Sequence, residues 1–228
     1  MGGAARLSDS GGQDPPNASA IEAKLRAAGE PARAEGERRY LKSELEHLGV
    51  RVPEVRRLAR AAARGVATRR QLDALVEALW ERPVHECRLA AAMVLEARPD
   101  LVAPAELPRI RRMVREARTW AIVDVLAVKV LGVLLLAHPE AAERLDPWAR
   151  DRDFWVRRAA LLSQIEPLKA GAPFDRFGGW AEAMLEQREF FIRKAIGWVL
   201  REAGKSRPDE VYAWLAPRAA RASGVTMR

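Results

Sequence analysis

A single cysteine, Cys87, stands among the 228 residues. It rules out an intrachain disulfide and a cysteine-built zinc site, and it suits a reducing compartment, so a cytoplasmic location is expected. Long apolar runs are also missing: the longest candidate, Val125 to Ala137, is interrupted by Lys129 and falls short of the roughly 18 residues a membrane span requires. The expectation is a chain with no membrane partner. Residues 1–20, rich in Gly, Ser, Ala, Asp and Pro, lack an apolar stretch flanked by basic residues. They read as a disordered tail rather than a signal peptide. Only three histidines occur, His47, His85 and His138. They lie far apart in the chain with no Cys or carboxylate at metal spacing, so no metal site is expected. No stretch alternates β-branched and polar residues as a half-buried strand does.

What is present is helical patterning and positive charge. Hydrophobic residues make up 49% and charged residues 31%, the balance of a globular chain. The formal charge of +8 and pI near 10.3 favour polyanionic partners, nucleic acid first, with anionic membrane or an acidic protein behind. From Ile21 onward apolar residues recur at helix period. Gly29-Glu30-Pro31, Gly49 to Pro53, Gly65, Arg82-Pro83, Arg98-Pro99, His138-Pro139, Asp146-Pro147, Gly171 to Pro173 and Arg207-Pro208 punctuate them as inter-helix turns. About ten to twelve helices of roughly 10 to 18 residues follow, in one unit spanning 21–228.

Three helices share a wording: His85-Glu86-Cys87-Arg88-Leu89-Ala90, Phe154-Trp155-Val156-Arg157-Arg158-Ala159 and Phe190-Phe191-Ile192-Arg193-Lys194-Ala195. Arg157 and Arg193 are 36 residues apart, and Arg88 and Arg157 are 69 apart, or two steps averaging 34.5. That step is the length of a helical hairpin repeat. The fold expected is an all-α superhelical solenoid of HEAT-like repeats with a concave basic groove, stable as a monomer because stacking alone completes the core. The missing step falls near residue 123, where Thr119-Trp120-Ala121-Ile122-Val123-Asp124 places an acid among otherwise basic repeats.

In register, Leu89, Asp124, Arg158 and Lys194 form one column, with Trp120 one turn from Asp124 and Trp198 one turn from Lys194. Two accounts fit that column. Asp124 pairs with Arg158 and the tryptophans fill the core; or phosphates follow the cations, the aromatics meet sugar or base faces, and the carboxylate faces positive charge developing at an anomeric carbon. An anion in a cationic groove repels phosphate, so it is costly there unless it has a task. Trp80, Trp148, Trp155, Trp180 and Trp214 sit among apolar neighbours and read as core, as does Cys87.

Longer motifs carry a family resemblance. Arg39-Tyr40-Leu41-Lys42 followed by Leu48-Gly49-Val50-Arg51-Val52-Pro53 resembles the start of the AlkD-like DNA glycosylases, whose corresponding helix and turn read Arg-Tyr-Met-Lys and Leu-Gly-Ile-x-Thr-Pro. Phe154 to Gln164 is similar to the family's Trp-x-x-Arg-Ala-Ala-Ile-Leu signature, and Glu189 to Glu202 resembles a family block almost letter for letter. The resemblance covers about residues 20 to 228 in order. It implies excision of 3-methyladenine and 7-methylguanine type lesions from double-stranded DNA, with the damaged base left stacked, an abasic product, and no metal or small cofactor.

The resemblance further implies that Trp120, Asp124 and Trp198 contact the lesion's deoxyribose, with Arg158 a groove arginine beside them and Tyr40 a further DNA contact. Arg39, Lys42, Arg157, Arg193, Lys194 and Arg201, the cations of the same motifs, are the expected phosphate ligands. The family's acid motif reads Trp-Trp-Asp-x-Val-Asp, whereas Thr119 and Ala121 replace its first Trp and first Asp here. A catalytically silent DNA-binding module and a protein-binding scaffold are the alternatives that this departure keeps open.

Overall fold

The structure is a computed structural model, and it describes residues 17–227. Among these residues the chain is helical throughout, with no strand beyond one isolated parallel bridge between Glu46 and Val84. Fourteen α-helical segments follow in order: α1 (Ala18–Ala27), α2 (Pro31–Leu41), α3 (Val52–Arg64), α4 (Arg69–Trp80), α5 (His85–Ala97), α6 (Leu107–Ala117), α7 (Trp120–Asp124), α8 (Gly132–Ala137), α9 (Asp146–Ala149), α10 (Phe154–Leu162), α11 (Ile165–Lys169), α12 (Asp175–Met184), α13 (Phe190–Gly204) and α14 (Pro208–Leu215). They form an all-α superhelical solenoid of HEAT-like repeats.

Several are shorter than the sequence leads one to expect, from four residues in α9 to 15 in α13. Prolines account for part of this. Pro31 and Pro208 each open a helix at the position where a missing N–H costs nothing, and Pro139 opens a 3₁₀ stretch, Pro139–Leu145, before α9. The chain also turns helical earlier than expected. Asn17 caps α1 by accepting from the Ser19 N–H at 2.8 Å, so the helix begins inside the segment read as a tail. Residues 1–16 lie outside the described part.

Polar ties run from one repeat to the next and mark its length. Arg112 pairs with Glu77, 35 residues away, Lys129 with Glu166, 37 away, and Arg218 with Glu182, 36 away. The Trp80 indole donates to Glu116, again 36 away. A spacing of one hairpin repeat in side-chain bonds made by different residues is what nearest-neighbour stacking requires.

The centre of the stack is α5, which packs on α3 and α4 and is buried on nearly every side by its alanines and by Leu89, Met93, Val94 and Leu95. Cys87 lies within it, and burial pushes its thiol up to about 12, the behaviour of a small hydrophobe rather than a nucleophile. Trp80, Trp148, Trp155 and Trp180 are buried as expected, while Trp214 is half-buried against Phe174 and Phe177.

The helix that follows α6 departs from regular geometry. Between α7 and α8 the residues Val125–Leu131 form a π-helix, so Trp120–Ala137 is one continuous rod with a widened middle. This corrects the sequence reading of its apolar length: by length and composition those 18 residues are apolar enough to cross a membrane. More than half of the rod is buried inside the fold, where the π segment packs against α5 and α10.

Candidate active site and nucleic-acid groove

Asp124 is the last residue of α7, immediately before the π-helical widening. Thr119, itself buried, starts this helix by accepting from the Ala121 N–H with its side chain. The Arg158 guanidinium on α10 meets the carboxylate in a forked pair, Nε to Oδ1 and Nη2 to Oδ2, both at 2.8 Å. Its Nη1 donates to the Phe191 carbonyl on α13 at 2.7 Å, and the group lies 5.7 Å from the Phe191 ring. One side chain therefore ties together α7, α10 and α13.

That arrangement corrects the expectation for Arg158 as a phosphate ligand in the groove. It is 2% exposed, and its donors point to Asp124 and a main-chain carbonyl. The side chain of Asp124 keeps 17% of its surface, against 3% for the arginine. The planar fork fixes both carboxylate oxygens in orientation more tightly than a lysine would.

Of the expected aromatics, Trp120 and Tyr40 meet each other, and Trp198 lies on the helix that Arg158 bonds through Phe191. Trp120, one turn before Asp124, is half-buried against the core. Tyr40, at 73% exposure near the end of α2, meets its ring edge-on, with centroids 6.2 Å apart and planes at 86°. The helix that carries Arg39 and Tyr40 thereby reaches over to the helix that carries Asp124. Trp198 is half-buried on α13, two turns beyond Phe191 and so on the same helix face.

The cations divide into two groups. Arg157 donates to the main-chain carbonyls of Asp151 and Arg152, and Arg193 to that of Gln187. Arg88, their counterpart two steps upstream, donates to the carbonyl of Trp80. The arginine repeated in the shared wording thus ties each helix to the loop or helix end before it. For Arg157 and Arg193 one guanidinium nitrogen each is committed to main-chain carbonyls, Nη1 and Nε respectively, so part of each group serves the fold. Lys42, Lys194 and Arg201 are exposed. Arg39 is exposed too, with a loose 3.4 Å contact to Glu35.

A cleft of about 900 Å³ opens beside these residues. Lys42 lines it together with Arg88, Arg115, Arg118 and Arg152, three acids, Glu44, Glu116 and Asp153, and the aromatic Phe154 and Trp155. Arg118 stands out: it ends α6 in a left-handed conformation, φ 48°, and is 73% exposed with a 3.4 Å contact to Glu44. Neither it nor Arg152 belongs to a motif quoted above, and a lone arginine after a helix has no signal that would single it out.

The histidines also depart from expectation. His47 and His85 stack face to face, ring centroids 4.4 Å apart and planes within 11°. Chain separation hid this neighbourhood, because the fold brings the turn after α2 against the start of α5. There His47, Glu37 and Glu86 converge.

With this geometry in place, comparison with known proteins is informative. The profile described as DNA alkylation repair enzyme matches residues 21–228. The chain belongs to this family. A predicted DNA alkylation repair enzyme from Enterococcus faecalis superposes with a TM-score of 0.79 at 23% identity, covering 88% of this chain and 93% of that one. AlkD2 from Streptococcus mutans superposes with a TM-score of 0.62 at 18% identity, covering 88% and 89% of the two chains. At such identities the likeness is one of fold. No sequence match was found among curated proteins.

Proposed function

We propose that this member of the DNA alkylation repair family is a monofunctional DNA glycosylase acting inside the cell on cationic N3- and N7-alkylated purines in duplex DNA. One observation carries the reading: a part-exposed carboxylate, Asp124, held in fixed orientation by Arg158 and one helical turn from Trp120, whose ring meets the exposed Tyr40.

Such a carboxylate suits a reaction whose transition state is an electron-poor sugar. As the C1′–N bond breaks, its electron pair passes to the alkylated base, which leaves neutral. A water oxygen then bonds to C1′, and its proton goes to Asp124 or to solvent. Because the leaving group begins as a cation, no general acid is needed, and the anion's task is to stabilise the developing oxocarbenium charge or orient the water. The pre-set hydrogen bonds from Arg158 spare the carboxylate reorganisation at that moment. Trp120, Tyr40 and Trp198 would pack on the lesion sugar and its neighbours. Lys42, Arg118, Arg152, Lys194 and Arg201 would meet phosphates. No metal or small cofactor enters this chemistry.

Base release from duplex DNA carrying N7-methylguanine tests the proposal. Free base should accumulate with the unmodified chain and fall sharply with Asp124→Asn, while duplex binding persists in both. Equal release by the two proteins would remove Asp124 from the mechanism. Binding without release in either would favour the second reading, a silent DNA-binding module, which Thr119 and Ala121 support by replacing the family's usual Trp and Asp. Affinity for an acidic protein with none for duplex DNA would instead make the chain a scaffold.

A further inference from the structure

Helix α2 carries Arg39 and Tyr40 toward the groove, yet none of its residues is buried and no side chain caps its start. Gly49, with φ 75°, lets the following loop press against it; a Cβ there would run into the Glu30 carbonyl and the Ala34 amide. Close approach alone gives little hold. Beneath the helix, three residues before Tyr40, lies Glu37, and the ligand atoms of Glu37, His47 and Glu86 all fall within 4.8 Å of one another.

His47 is 8% exposed and both of its ring nitrogens lack a hydrogen-bond partner. An unsatisfied buried polar group costs about 1–3 kcal/mol, and a cation bound at either ring nitrogen would remove one such cost. Glu86 is 1% exposed. Its Oε1 accepts from the N–H groups of Leu48 (3.0 Å), Gly49 (2.7 Å) and Val50 (3.2 Å), and its Oε2 from Leu48 (3.0 Å), which leaves Oε2 a lone pair. Among the described residues no Lys or Arg forms an ion pair with it, and Glu37 has only Arg33, at 3.8 Å. Burial and the Glu86 charge together push the Glu37 carboxyl above its ordinary range. A cavity of about 350 Å³, lined by Pro31, Arg38, His47 and Leu48 among others, opens on this place and supplies a path from solvent.

One imidazole and two carboxylates are a ligand set for a borderline cation such as Zn²⁺ or Co²⁺, with water in the remaining position. We propose that Glu37, His47 and Glu86 bind a divalent transition-metal cation, which fastens α2 to α5 and so holds Tyr40 over Trp120. Ligand atoms on one tetrahedral cation lie roughly 3.3 Å apart. Separations of no more than 4.8 Å lie within a small side-chain adjustment of that spacing. The proposal is independent of the glycosylase reading, since the site supports the groove wall and takes no part in bond cleavage.

The test uses the full chain stripped with a chelator and titrated with Zn²⁺ by calorimetry and with Co²⁺ by visible absorption. One equivalent should bind, with a Co²⁺ d–d band of a four- or five-coordinate site, and the melting temperature should rise with metal. Glu37→Gln, on a helix with no buried residue, should fold as the parent does and weaken Co²⁺ binding by about 10- to 100-fold or more. His47→Gln should do the same if it folds; Glu37→Gln decides if it does not. Absence of stoichiometric uptake would overturn the proposal. So would uptake that Glu37→Gln leaves unchanged, which would mark an adventitious surface site.

Discussion

Arg158 and Asp124, 34 residues apart, meet through two parallel 2.8 Å bonds, and the arginine is far more deeply buried than the acid it holds. Asp124→Asn should cut base release by about 10²- to 10³-fold and also lower stability by about 1–3 kcal/mol, because it leaves the buried Arg158 charge without its counter-ion. Arg158→Ala should reduce activity as well and also cost about 3 kcal/mol in a urea melt, because it strands a half-buried carboxylate. The double substitution Asp124→Asn with Arg158→Gln should regain much of that stability and none of the activity.

The edge-on contact between Tyr40 and Trp120 yields a different signature. Tyr40 is exposed, so Tyr40→Ala should change the melting temperature little. Binding to lesion-containing duplex should weaken by about 1–2 kcal/mol, as fluorescence anisotropy would register. An equal loss of stability would place the ring in packing rather than in recognition.

Salt dependence separates the two kinds of cation. Lys194→Ala, Arg118→Ala or Arg152→Ala should each lower the slope of log K against log salt by about 0.9, the mark of one lost phosphate contact on B-DNA. Arg157→Ala and Arg193→Ala should lower the slope by less than this and cost about 1 kcal/mol of stability each, since one nitrogen of each guanidinium serves main-chain carbonyls.

The sequence carries more of the fold than of this distinction. Proline and glycine punctuation and the shared arginine wording at steps of 34.5 and 36 residues announce a repeat, and the same register puts Asp124 and Arg158 in one column, where their pairing is one of the two accounts left open. What periodicity does not convey is which way a guanidinium turns. An arginine at a repeated position serves equally to bind a phosphate or a loop carbonyl, and Arg157 and Arg193 each commit one nitrogen to the latter. The π-helix after Asp124 is likewise invisible, because Val125–Leu131 has the composition of any core helix. His47 and His85 escape notice for a third reason: their contact depends on how a loop closes.

Acid should weaken the molecule through Asp151. Its side chain, nearly sealed, accepts from the Asp153 N–H at 2.9 Å and pairs with Arg111 and Arg115. Burial alone would raise its pKa, but the Asp153 N–H and the two guanidinium groups outweigh burial and hold the carboxyl below its ordinary 3.8. A carboxylate depressed on folding contributes stability above its unfolded pKa and loses it as pH falls through the folded value. Asp151→Asn should therefore lie about 1.5–3 kcal/mol below the parent in urea melts at pH 7, and the gap should hold down to pH 5 and close below pH 3.8.

The ladder of side-chain bonds, each spanning a single hairpin, carries a mechanical consequence. Because each bond joins a repeat only to its neighbour, any bending of the stack is expected to be shared among many small adjustments. A trough built this way can open or tighten along its whole length around a rod-shaped guest without breaking any one joint.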